Sequence, residues 1–312
     1  MNRNITEWLK LPESWRVPYF GGKWYRFINW LDNKSILKEK IQKDYLNHKP
    51  RAEVITLSLT SFPARIEYVH LSIRSLFLQT YKPDRIILWL AEQQFVDKTL
   101  PKQLLELQEY GLEIRFCSDD LFGHKKYFIP LIEQKQNEVV VTYDDDIIYP
   151  PNSLAKLMRM HQKFPKSIVC NRAQAYTENS DGTEVNPGNW KIISNEGVAR
   201  PSFQLCPSTG GGCLYPCRAL FEDAANKEKI VRYALRGDDL WIMFMALQQG
   251  TTFVKTTKYH KTFTVVNNSQ REQLAKSNII EDGYLKILKD LKTQYPEAWE
   301  KAIKNSMELR GR

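Results

Sequence analysis

Three consecutive aspartates, Asp144, Asp145 and Asp146, directly follow the apolar run 139–143. Adjacent carboxylates repel one another and raise each other's pKa unless a cation neutralises them. A hard divalent ion held by carboxylates and substrate phosphates supplies that charge. The apolar run predicts a buried strand that delivers the acids to its carboxyl end, where α/β sheets bind ligands. The alternative is a solvated acidic turn that caps the next helix.

A second acidic pair, Asp238 and Asp239, precedes the apolar helical run 242–247. A carboxylate near a bound hydroxyl can act as a general base. Aspartates are also common at the N-cap or in the first turn of a helix for structural reasons. The presence of two separate acidic clusters favours a catalytic interpretation, and the capping role stays open.

Glycine and lysine supply two further candidate contacts. The run Gly210, Gly211 and Gly212 lets the backbone approach a sugar or a phosphate closely, or forms only a flexible turn. It is not a Walker phosphate loop, because no Gly-Lys-Ser or Gly-Lys-Thr follows it. Lys125 and Lys126 can meet a diphosphate, although lysine is also the commonest solvated surface cation.

Strand-like and helix-like segments alternate along the chain before these sites. Predicted strands cover 53–59, 85–90, 112–116 and 138–143, and predicted helices cover 66–77 and 100–110. This alternation predicts an α/β fold with a mostly parallel sheet flanked by helices. A polar, turn-rich segment at 176–200 is predicted to be a surface excursion, and helical periodicity returns from residue 281 onward.

Composition excludes several classes of protein. With 312 residues, 42% hydrophobic and 26% charged, the chain has enough apolar content for a large core and does not resemble a disordered protein. The net charge of +9 is concentrated in residues 1–51, where 11 basic residues face 5 acidic ones. A nucleic-acid-binding protein is therefore disfavoured, since no recognised nucleic-acid motif accompanies the charge.

The same N-terminal segment is rich in aromatic residues, which suits the headgroup layer of an anionic membrane. The alternative is an extension packed on the catalytic domain. The aromatic residues are Trp8, Trp15, Tyr19, Phe20, Trp24, Tyr25, Phe27 and Trp30. No apolar run is long enough for a membrane span and no signal-peptide core is present, so we predict a cytoplasmic protein that can attach to the inner face of the membrane. The five cysteines lack zinc-ligand spacing and are expected to be idle thiols.

Taken together, the chain resembles the GT-A glycosyltransferases, in particular family 2-like bacterial enzymes that build capsular and other surface polysaccharides. The resemblance spans residues 54–260 and rests on an ordered set of motifs. These are the turn Leu59-Thr60-Ser61-Phe62-Pro63-Ala64-Arg65-Ile66, the helix end Ser75-Leu76-Phe77-Leu78-Gln79-Thr80-Tyr81, the Asp triplet, the glycine run and Gly237-Asp238-Asp239.

The resemblance implies a role for each motif. Asp144 and Asp146 look like the outer acids of a DxD motif that binds Mn²⁺ or Mg²⁺, with Asp145 facing the nucleotide sugar. Thr60, Ser61 and Arg65 would hold the nucleotide, and Lys125 or Lys126 would meet its phosphates. Gly211 and Gly212 would shape the sugar and acceptor pocket. Asp239, with Asp238 beside it, would be the catalytic base.

The implied reaction is an inverting transfer from a nucleotide diphosphate sugar, expected to be a UDP-sugar, to a glycan or lipid-linked glycan. One position departs from the family pattern, and one further position matches it in part. The second strand ends without its usual acidic residues, so only Glu92 remains to contact the base. His260 lies where some GT-A enzymes place a further metal ligand, but a lone histidine is a weak signal.

The predicted domain organisation has three parts: an extension at 1–51, a catalytic domain at 52–265 and a helical tail at 266–312. Within the catalytic domain, 52–150 is expected to bind the nucleotide and 151–265 the acceptor. A sugar-phosphate nucleotidyltransferase is the rival enzyme class, because it also needs a basic pocket, a divalent metal and paired acids. The polar excursion and the glycine run favour a sugar acceptor.

Overall fold

The structure is a computed structural model of the 312-residue chain. It describes residues 21–41, 45–177, 179, 183–192, 194–258, 264–267, 269 and 283–310. Within these ranges, side chains are described except for 21–26, 28 and 304–310.

Eleven strands are described. They are β1 (Val54–Thr60), β2 (Arg85–Ala91), β3 (Leu112–Cys117), β4 (Glu138–Tyr143), β5 (Ile147–Ile148), β6 (Ile168–Cys170), β7 (Ala173–Ala175), β8 (Leu205–Pro207), β9 (Gly211–Tyr215), β10 (Phe253–Lys255) and β11 (Thr264–Val265). Seven of these form one mostly parallel sheet in the order β10-β6-β9-β4-β1-β2-β3, and β9 runs antiparallel to β4 and β6. The α/β fold class predicted from the sequence is confirmed.

The described α-helices flank these strands. They are α1 (Gly21–Lys38), α2 (Val69–Phe77), α3 (Lys102–Leu105), α4 (Lys125–Glu133), α5 (Ser153–Lys163), α6 (Lys227–Tyr233), α7 (Asp238–Gln249), α8 (Gly283–Gln294) and α9 (Pro296–Arg310). The chain divides into two compact units: Met1–Asp120 with Asp144–Ala155 and Lys261–Glu272, and Leu121–Tyr143 with Lys156–His260 and Gln273–Arg312.

The first unit contains the parallel strands β1, β2 and β3. Buried side chains dominate β1 and β2, whereas only Leu112 and Cys117 are buried in β3. The predicted helix at 100–110 is shorter here, because the chain tightens after α3 into a 3₁₀ turn, Glu106–Tyr110, that ends at Gly111. Gly111 has φ +100°, a left-handed conformation that glycine adopts without strain.

Helix α1 is joined to the first unit through one of its faces. The Asn33 side chain donates to the Val265 carbonyl at 2.9 Å and accepts from the Asn267 amide at 3.0 Å. Ile36 is 1% exposed and belongs to a small apolar cluster with Leu71, Ile148 and Val266. The basic segment therefore contributes to core packing, as one of the two sequence-based alternatives expects.

The second unit is built around α7, whose residues 240–247 are all buried. A helix that is apolar on all sides needs cover on all sides. Part of that cover comes from α9, where the Trp299 ring stacks on Phe244 with centroids 6.0 Å apart.

The predicted polar excursion at 176–200 is more firmly attached than its composition indicates. Trp190 is 2% exposed, and the Tyr176 ring meets it edge-on with centroids 5.4 Å apart. Lys255 of β10 is also buried and donates to the Ser194 carbonyl at 3.0 Å. The described part of this segment is therefore pinned by buried aromatic and cationic side chains.

Candidate active site

In the first unit, the acidic triplet follows β4 and its middle residue is fixed by β1 and the turn after it. The Ser61 hydroxyl donates to Asp145 Oδ2 at 2.6 Å, and Arg65 Nη1 donates to Asp145 Oδ1 at 2.8 Å. Asp145 is 5% exposed. The residue predicted to face the nucleotide sugar thus has both carboxylate oxygens bonded to protein groups.

The outer aspartates are less enclosed, although their backbone is rigid. Ser72 donates to the Asp144 carbonyl at 2.8 Å, and the Asp144 amide donates to the Tyr149 hydroxyl at 2.7 Å. The Val266 amide donates to the Asp146 carbonyl at 2.8 Å, and Arg65 Nη1 lies 3.0 Å from Asp146 Oδ2. The two half-buried carboxylates of Asp144 and Asp146 are therefore held on a fixed backbone.

Charge is partly balanced inside this cluster. Burial, reinforced by the neighbouring Asp144, raises the pKa of Asp145, and Arg65 and Ser61 act against this rise. Although burial opposes it, the three carboxylates raise the pKa of Arg65. The guanidinium is thus the internal counter-ion of the acidic triplet.

The donor chemistry of Asp144 and Asp146 fits a divalent cation. Hard cations take carboxylate oxygens, and Mg²⁺ is commonly held by one or two carboxylates together with waters and substrate phosphates. Among the described residues, no group of three or more His, Cys, Asp or Glu is arranged to hold a metal by itself. A cation at the triplet therefore needs phosphate or water oxygens to complete its coordination.

Two further predicted donor contacts lie in the first unit. The Thr60 hydroxyl donates to the Trp89 carbonyl at 2.8 Å and so links the ends of β1 and β2. Glu92 follows β2, is exposed, and lies 3.5 Å from Lys98 Nζ. His260, the predicted additional metal ligand, lies outside the described residues.

In the second unit, Asp238 and Asp239 open α7, but neither caps it. The N-cap residue is Gly237, and no side chain makes a capping hydrogen bond. Asp238 Oδ2 instead lies 3.0 Å from Lys126 Nζ, and Lys126 is 4% exposed. The lysine predicted to meet phosphates is therefore the ion-pair partner of Asp238.

Thr209, which follows β8, binds both aspartates. Its amide donates to Asp239 Oδ1 at 2.8 Å, and its hydroxyl oxygen lies 2.7 Å from Asp239 Oδ1 and 2.7 Å from Asp238 Oδ2. Asp239 Oδ2 has no hydrogen-bond partner within the described part of the chain. Asp239 is half-buried, so one of its oxygens is fixed and the other is available to a ligand.

These contacts separate the acidities of the two neighbours. Burial and the negative charge of Asp238 raise the pKa of Asp239 to about 7. Burial acts on Asp238 in the same direction, but the charge of Lys126 and the Thr209 hydrogen bond hold the pKa of Asp238 well below its usual value. A carboxyl with a pKa near 7 is matched to general base catalysis at neutral pH.

The neutral His124 helps to shape this cluster. Burial lowers the pKa of His124 to about 4, and its Nε2 donates to the Ala234 carbonyl at 2.8 Å while Nδ1 accepts from the Tyr127 hydroxyl. At Gly123, an added Cβ would lie 3.0 Å from Asp238 Oδ2. Glycine at this position lets the chain approach the carboxylate.

The predicted acceptor-contacting glycines lie in a strand. Gly211 and Gly212 belong to β9 and are buried. Gly212 has φ +92°, and an added Cβ would lie 2.7 Å from Asn171 Nδ2 and 3.0 Å from the Tyr143 ring. The close packing and the left-handed backbone explain why glycine is present at 212.

The sequence-based interpretation missed Thr209 and the pairing of Lys126 with Asp238. The only local signal for Thr209 was its position beside the glycine run, and hydroxyl residues are common in turns. The five cysteines are free, and all but Cys217 are buried, as expected for idle thiols.

The raised pKa of Asp239 leads to a prediction about stability. Between pH 3.8, the pKa of the unfolded state, and about pH 7, the folded state holds a proton that the unfolded state has released. The contribution of Asp239 to the free energy of unfolding therefore falls as pH rises through that window. The contribution of His124 to the free energy of unfolding rises with pH between about pH 4 and pH 6.5, because the unfolded state holds the extra proton in that range. Comparison with a variant that still contains His124 isolates the effect of Asp239.

We expect Asp239→Asn to gain stability relative to the wild type as pH rises from 5 to 7, by up to about 1.4 kcal/mol per pH unit. Urea unfolding at several pH values measures this difference. A wild-type-minus-variant difference that stays constant with pH would show that Asp239 does not titrate in this range.

Neither a protein-family model nor a curated protein sequence matches the chain. The solved structures that match this chain include the mannosyltransferase PcManGT from Pyrobaculum calidifontis, in complex with GDP-Man and Mn²⁺. That match has 12% identity and a TM-score of 0.46 and covers 89% of this chain and 76% of that one. The 4-diphosphocytidyl-2C-methyl-D-erythritol synthase of Anaerococcus prevotii matches at 13% identity and a TM-score of 0.42, covering 74% and 100% of the two chains. Residues 1–349 of S. aureus TarS match at 9% identity and a TM-score of 0.38, covering 66% and 59%. At these values the likenesses assign neither a family nor an activity, and the chemistry of the site rests on its own residues.

Proposed function

We propose that this protein is a metal-dependent, inverting glycosyltransferase of the GT-A type. It moves a sugar from a nucleotide diphosphate donor, expected to be a UDP-sugar, to a glycan or lipid-linked glycan acceptor. The sequence motifs favour a role in the synthesis of a bacterial surface polysaccharide.

The observation that carries this proposal is Asp239. One carboxylate oxygen is fixed by Thr209, the other has no partner among the described residues, and the pKa lies at about 7. Asp239 does not cap α7, whose cap residue is Gly237; it lies in the first turn and bonds to Thr209 instead. A positioned carboxylate that is half ionised near neutral pH is suited to remove a proton from a hydroxyl group.

In the proposed reaction, the O–H bond of the acceptor breaks and its proton passes to the Asp239 carboxylate. The acceptor oxygen bonds to the anomeric carbon as the bond from that carbon to the diphosphate oxygen breaks. The electron pair leaves with the nucleoside diphosphate. One in-line displacement of this kind inverts the anomeric centre.

Asp144 and Asp146 are the residues that would hold the divalent cation. When bound, Mn²⁺ or Mg²⁺ neutralises negative charge that develops on a leaving diphosphate, so no protein acid is required. Arg65 and Ser61 fix Asp145 between these two carboxylates. Thr60, Ser61 and Arg65 are proposed to contact the nucleotide.

A donor panel tests this function. UDP-, GDP- and dTDP-sugars are compared with nucleoside triphosphates by thermal shift, with and without Mn²⁺. A ligand at 100 times its Kd stabilises the folded state by about 2.7 kcal/mol, which raises Tm by roughly 5 °C in a protein of this size. A nucleotidyltransferase would instead respond to a nucleoside triphosphate and release pyrophosphate.

We further propose that α1 attaches the enzyme to an anionic membrane. Phe27 and Trp30 are 46% and 49% exposed and stack on each other with centroids 6.3 Å apart. Leu37 is 55% exposed, and exposed Lys34 lies between them in the same helical register. Positions i, i+3, i+7 and i+10 share one helix face, so rings and positive charge are presented together.

No helix in the described ranges is long and apolar enough to cross a membrane. Attachment through α1 would therefore be interfacial. The opposite face of α1 carries Asn33 and Ile36, which bind the first unit. Point variants on the exposed face are thus a sharper test than deletion of the segment.

We expect Phe27→Ser with Trp30→Ser to weaken binding to phosphatidylglycerol-containing vesicles by about tenfold or more, because each buried ring is worth about 1.5–3 kcal/mol. Val96→Ser, at a site 85% exposed, is the matched control for loss of a surface apolar group. Vesicle co-sedimentation measures the effect, and equal binding by both variants would remove the membrane proposal.

A further inference from the structure

The Thr209 hydroxyl makes two short contacts but has only one proton. Its oxygen lies 2.7 Å from Asp238 Oδ2 and 2.7 Å from Asp239 Oδ1. A hydroxyl donates one hydrogen bond and accepts others. When it donates to one aspartate, the contact with the other is a hydrogen bond only if that aspartate carries a proton.

Lys126 decides which aspartate stays ionised. Its ammonium lies 3.0 Å from Asp238 Oδ2 in a buried environment, where an ion pair is strong and its disruption costly. Asp238 therefore remains a carboxylate. The variable proton in the cluster belongs to Asp239.

The hydroxyl can then bond to Asp239 in both of its protonation states. With Asp239 ionised, Thr209 donates to Asp239 Oδ1, and Lys126 satisfies Asp238. With Asp239 protonated, the carboxyl donates to Thr209 Oγ1, and Thr209 donates to Asp238. With Asp239 protonated, both Thr209 contacts therefore hold a proton. With Asp239 ionised, the Thr209 Oγ1–Asp238 Oδ2 contact holds none, and Lys126 alone satisfies that oxygen.

We propose that Thr209 is the positioning residue of the catalytic base: its hydroxyl donates to Asp239 when that carboxylate is ionised and links it to the Lys126–Asp238 ion pair when it is protonated. This inference rests on the proposed function of Asp239. It assigns Lys126 and Asp238 a role other than phosphate binding or catalysis. The ion pair that they form is the fixed partner of Thr209, which in turn contacts Asp239.

The backbone around Thr209 is built to hold this position. Thr142 donates to the Thr209 carbonyl at 2.6 Å, and the Ser208 amide donates to the Arg172 carbonyl at 3.0 Å. Thr209 is 1% exposed. Its hydroxyl is therefore already oriented before any ligand binds, as preorganised catalytic groups require.

Other groups facing the pair set the direction of the expected effect. They come from the chain before and within α4, from β6 and from β8, and are His124, Lys126, Tyr127, Cys170 and Cys206. Burial and the charge of Asp238 raise the pKa of the Tyr127 hydroxyl well above its usual value, so it stays protonated. Burial keeps His124 neutral and raises the pKa of both thiols, so these three do not titrate together with Asp239. The Thr209 hydrogen bonds lower the pKa of Asp239, and their loss should raise it.

The test compares Thr209→Val with Thr209→Ser. Valine keeps the backbone amide and the shape of threonine but removes the hydroxyl, whereas serine keeps both donors. We expect the acid limb of the kcat/KM profile to move up by roughly one pH unit in Thr209→Val. At pH 7 the kcat/KM of the variant is then about fivefold below that of the wild type, and this difference shrinks by pH 9. Thr209→Ser should follow the wild-type profile.

A second measurement is independent of turnover. Because the hydroxyl favours ionised Asp239, the destabilisation caused by Thr209→Val should be larger above pH 7 than below pH 6. If valine prevents folding, Thr209→Ala removes the same hydroxyl and is expected to give the same pH dependence. The proposal is overturned if Thr209→Val destabilises the protein equally at all pH values, or if its kcat/KM profile is identical to that of the wild type.

The outcomes separate this inference from the proposed function. Normal turnover in Asp239→Asn would remove the base assignment, while the stability measurement would still test the coupling of Thr209 to Asp239. An inactive Asp239→Asn together with a wild-type pH profile in Thr209→Val would leave the base in place and remove the coupling.

Discussion

Asp239→Asn is expected to lower turnover by about a hundredfold or more, while the protein still folds and donor affinity remains near wild type. Asparagine keeps the side-chain oxygen that accepts the Thr209 amide, but it cannot take a proton from a hydroxyl. The wild-type enzyme should show a kcat/KM that rises with pH through about 7, because the base must be ionised to act. Steady-state kinetics with an identified donor, together with thermal melts, measure both parts of this expectation.

Asp238→Asn is the internal control, because the two neighbours make different contacts. Asp238 Oδ2 accepts from Thr209 and pairs with Lys126, whereas Asp239 Oδ2 has no partner in the described chain. Removal of the Asp238 charge should lower the pKa of Asp239 and move the acid limb to lower pH. Turnover at neutral pH should therefore survive in Asp238→Asn.

The reverse pattern would relocate the base. An inactive Asp238→Asn with an active Asp239→Asn would retain a glycosyltransferase and move the proton acceptor by one residue. Normal turnover in both variants would leave the inverting displacement without a base in this cluster.

Asp146→Ala is expected to abolish Mn²⁺-dependent binding of the donor while the protein still folds. The donor probe is the nucleotide sugar that gives the largest Mn²⁺-dependent thermal shift in the wild type. Alanine keeps the Asp146 carbonyl that accepts from the Val266 amide, so the local backbone remains supported. The substitution therefore removes only the carboxylate group, which is 14% exposed and contacts Arg65.

Asp145→Ala separates metal binding from structure at the same turn. Asp145 is bonded through one oxygen to Ser61 and through the other to Arg65, so its removal leaves a largely buried guanidinium with less of its counter-charge. Loss of one partner of a buried pair costs about 3–5 kcal/mol. We therefore expect a clear drop in Tm for Asp145→Ala and a small one for Asp146→Ala.

Isothermal titration with Mn²⁺ and the donor measures the binding loss directly. Full Mn²⁺-dependent donor binding by Asp146→Ala would rule out this carboxylate as a metal ligand. Equal destabilisation by the two alanine variants would instead indicate that the whole triplet is a structural ion-pair cluster around Arg65.

The sequence alone determined the positions of four of the seven strands in the sheet, although not their order, and the identity of the acidic clusters. Apolar runs with β-branched residues can be buried on both sides only in a covered sheet, so β1, β2, β3 and β4 were predicted within one or two residues. Asp144 and Asp239 were recognisable because acidic residues beside such apolar elements are unusual and carry a local signal. The buried helix α7 was predicted for the same reason.

Only the tertiary structure decided how the charges are distributed. The decisive contacts join residues that are from 29 to 112 positions apart in the sequence. They are the ion pair of Lys126 with Asp238, the contact of Thr209 with Asp238, and the contacts of Ser61 and Arg65 with Asp145. No local pattern specifies such contacts, because they depend on which strand and helix ends meet after the core has packed. The pKa of a carboxyl depends on burial and on its nearest charges, and both are properties of the folded chain. The sequence therefore supplied two similar aspartates, and folding lowered the pKa of Asp238 and raised that of Asp239 to about 7.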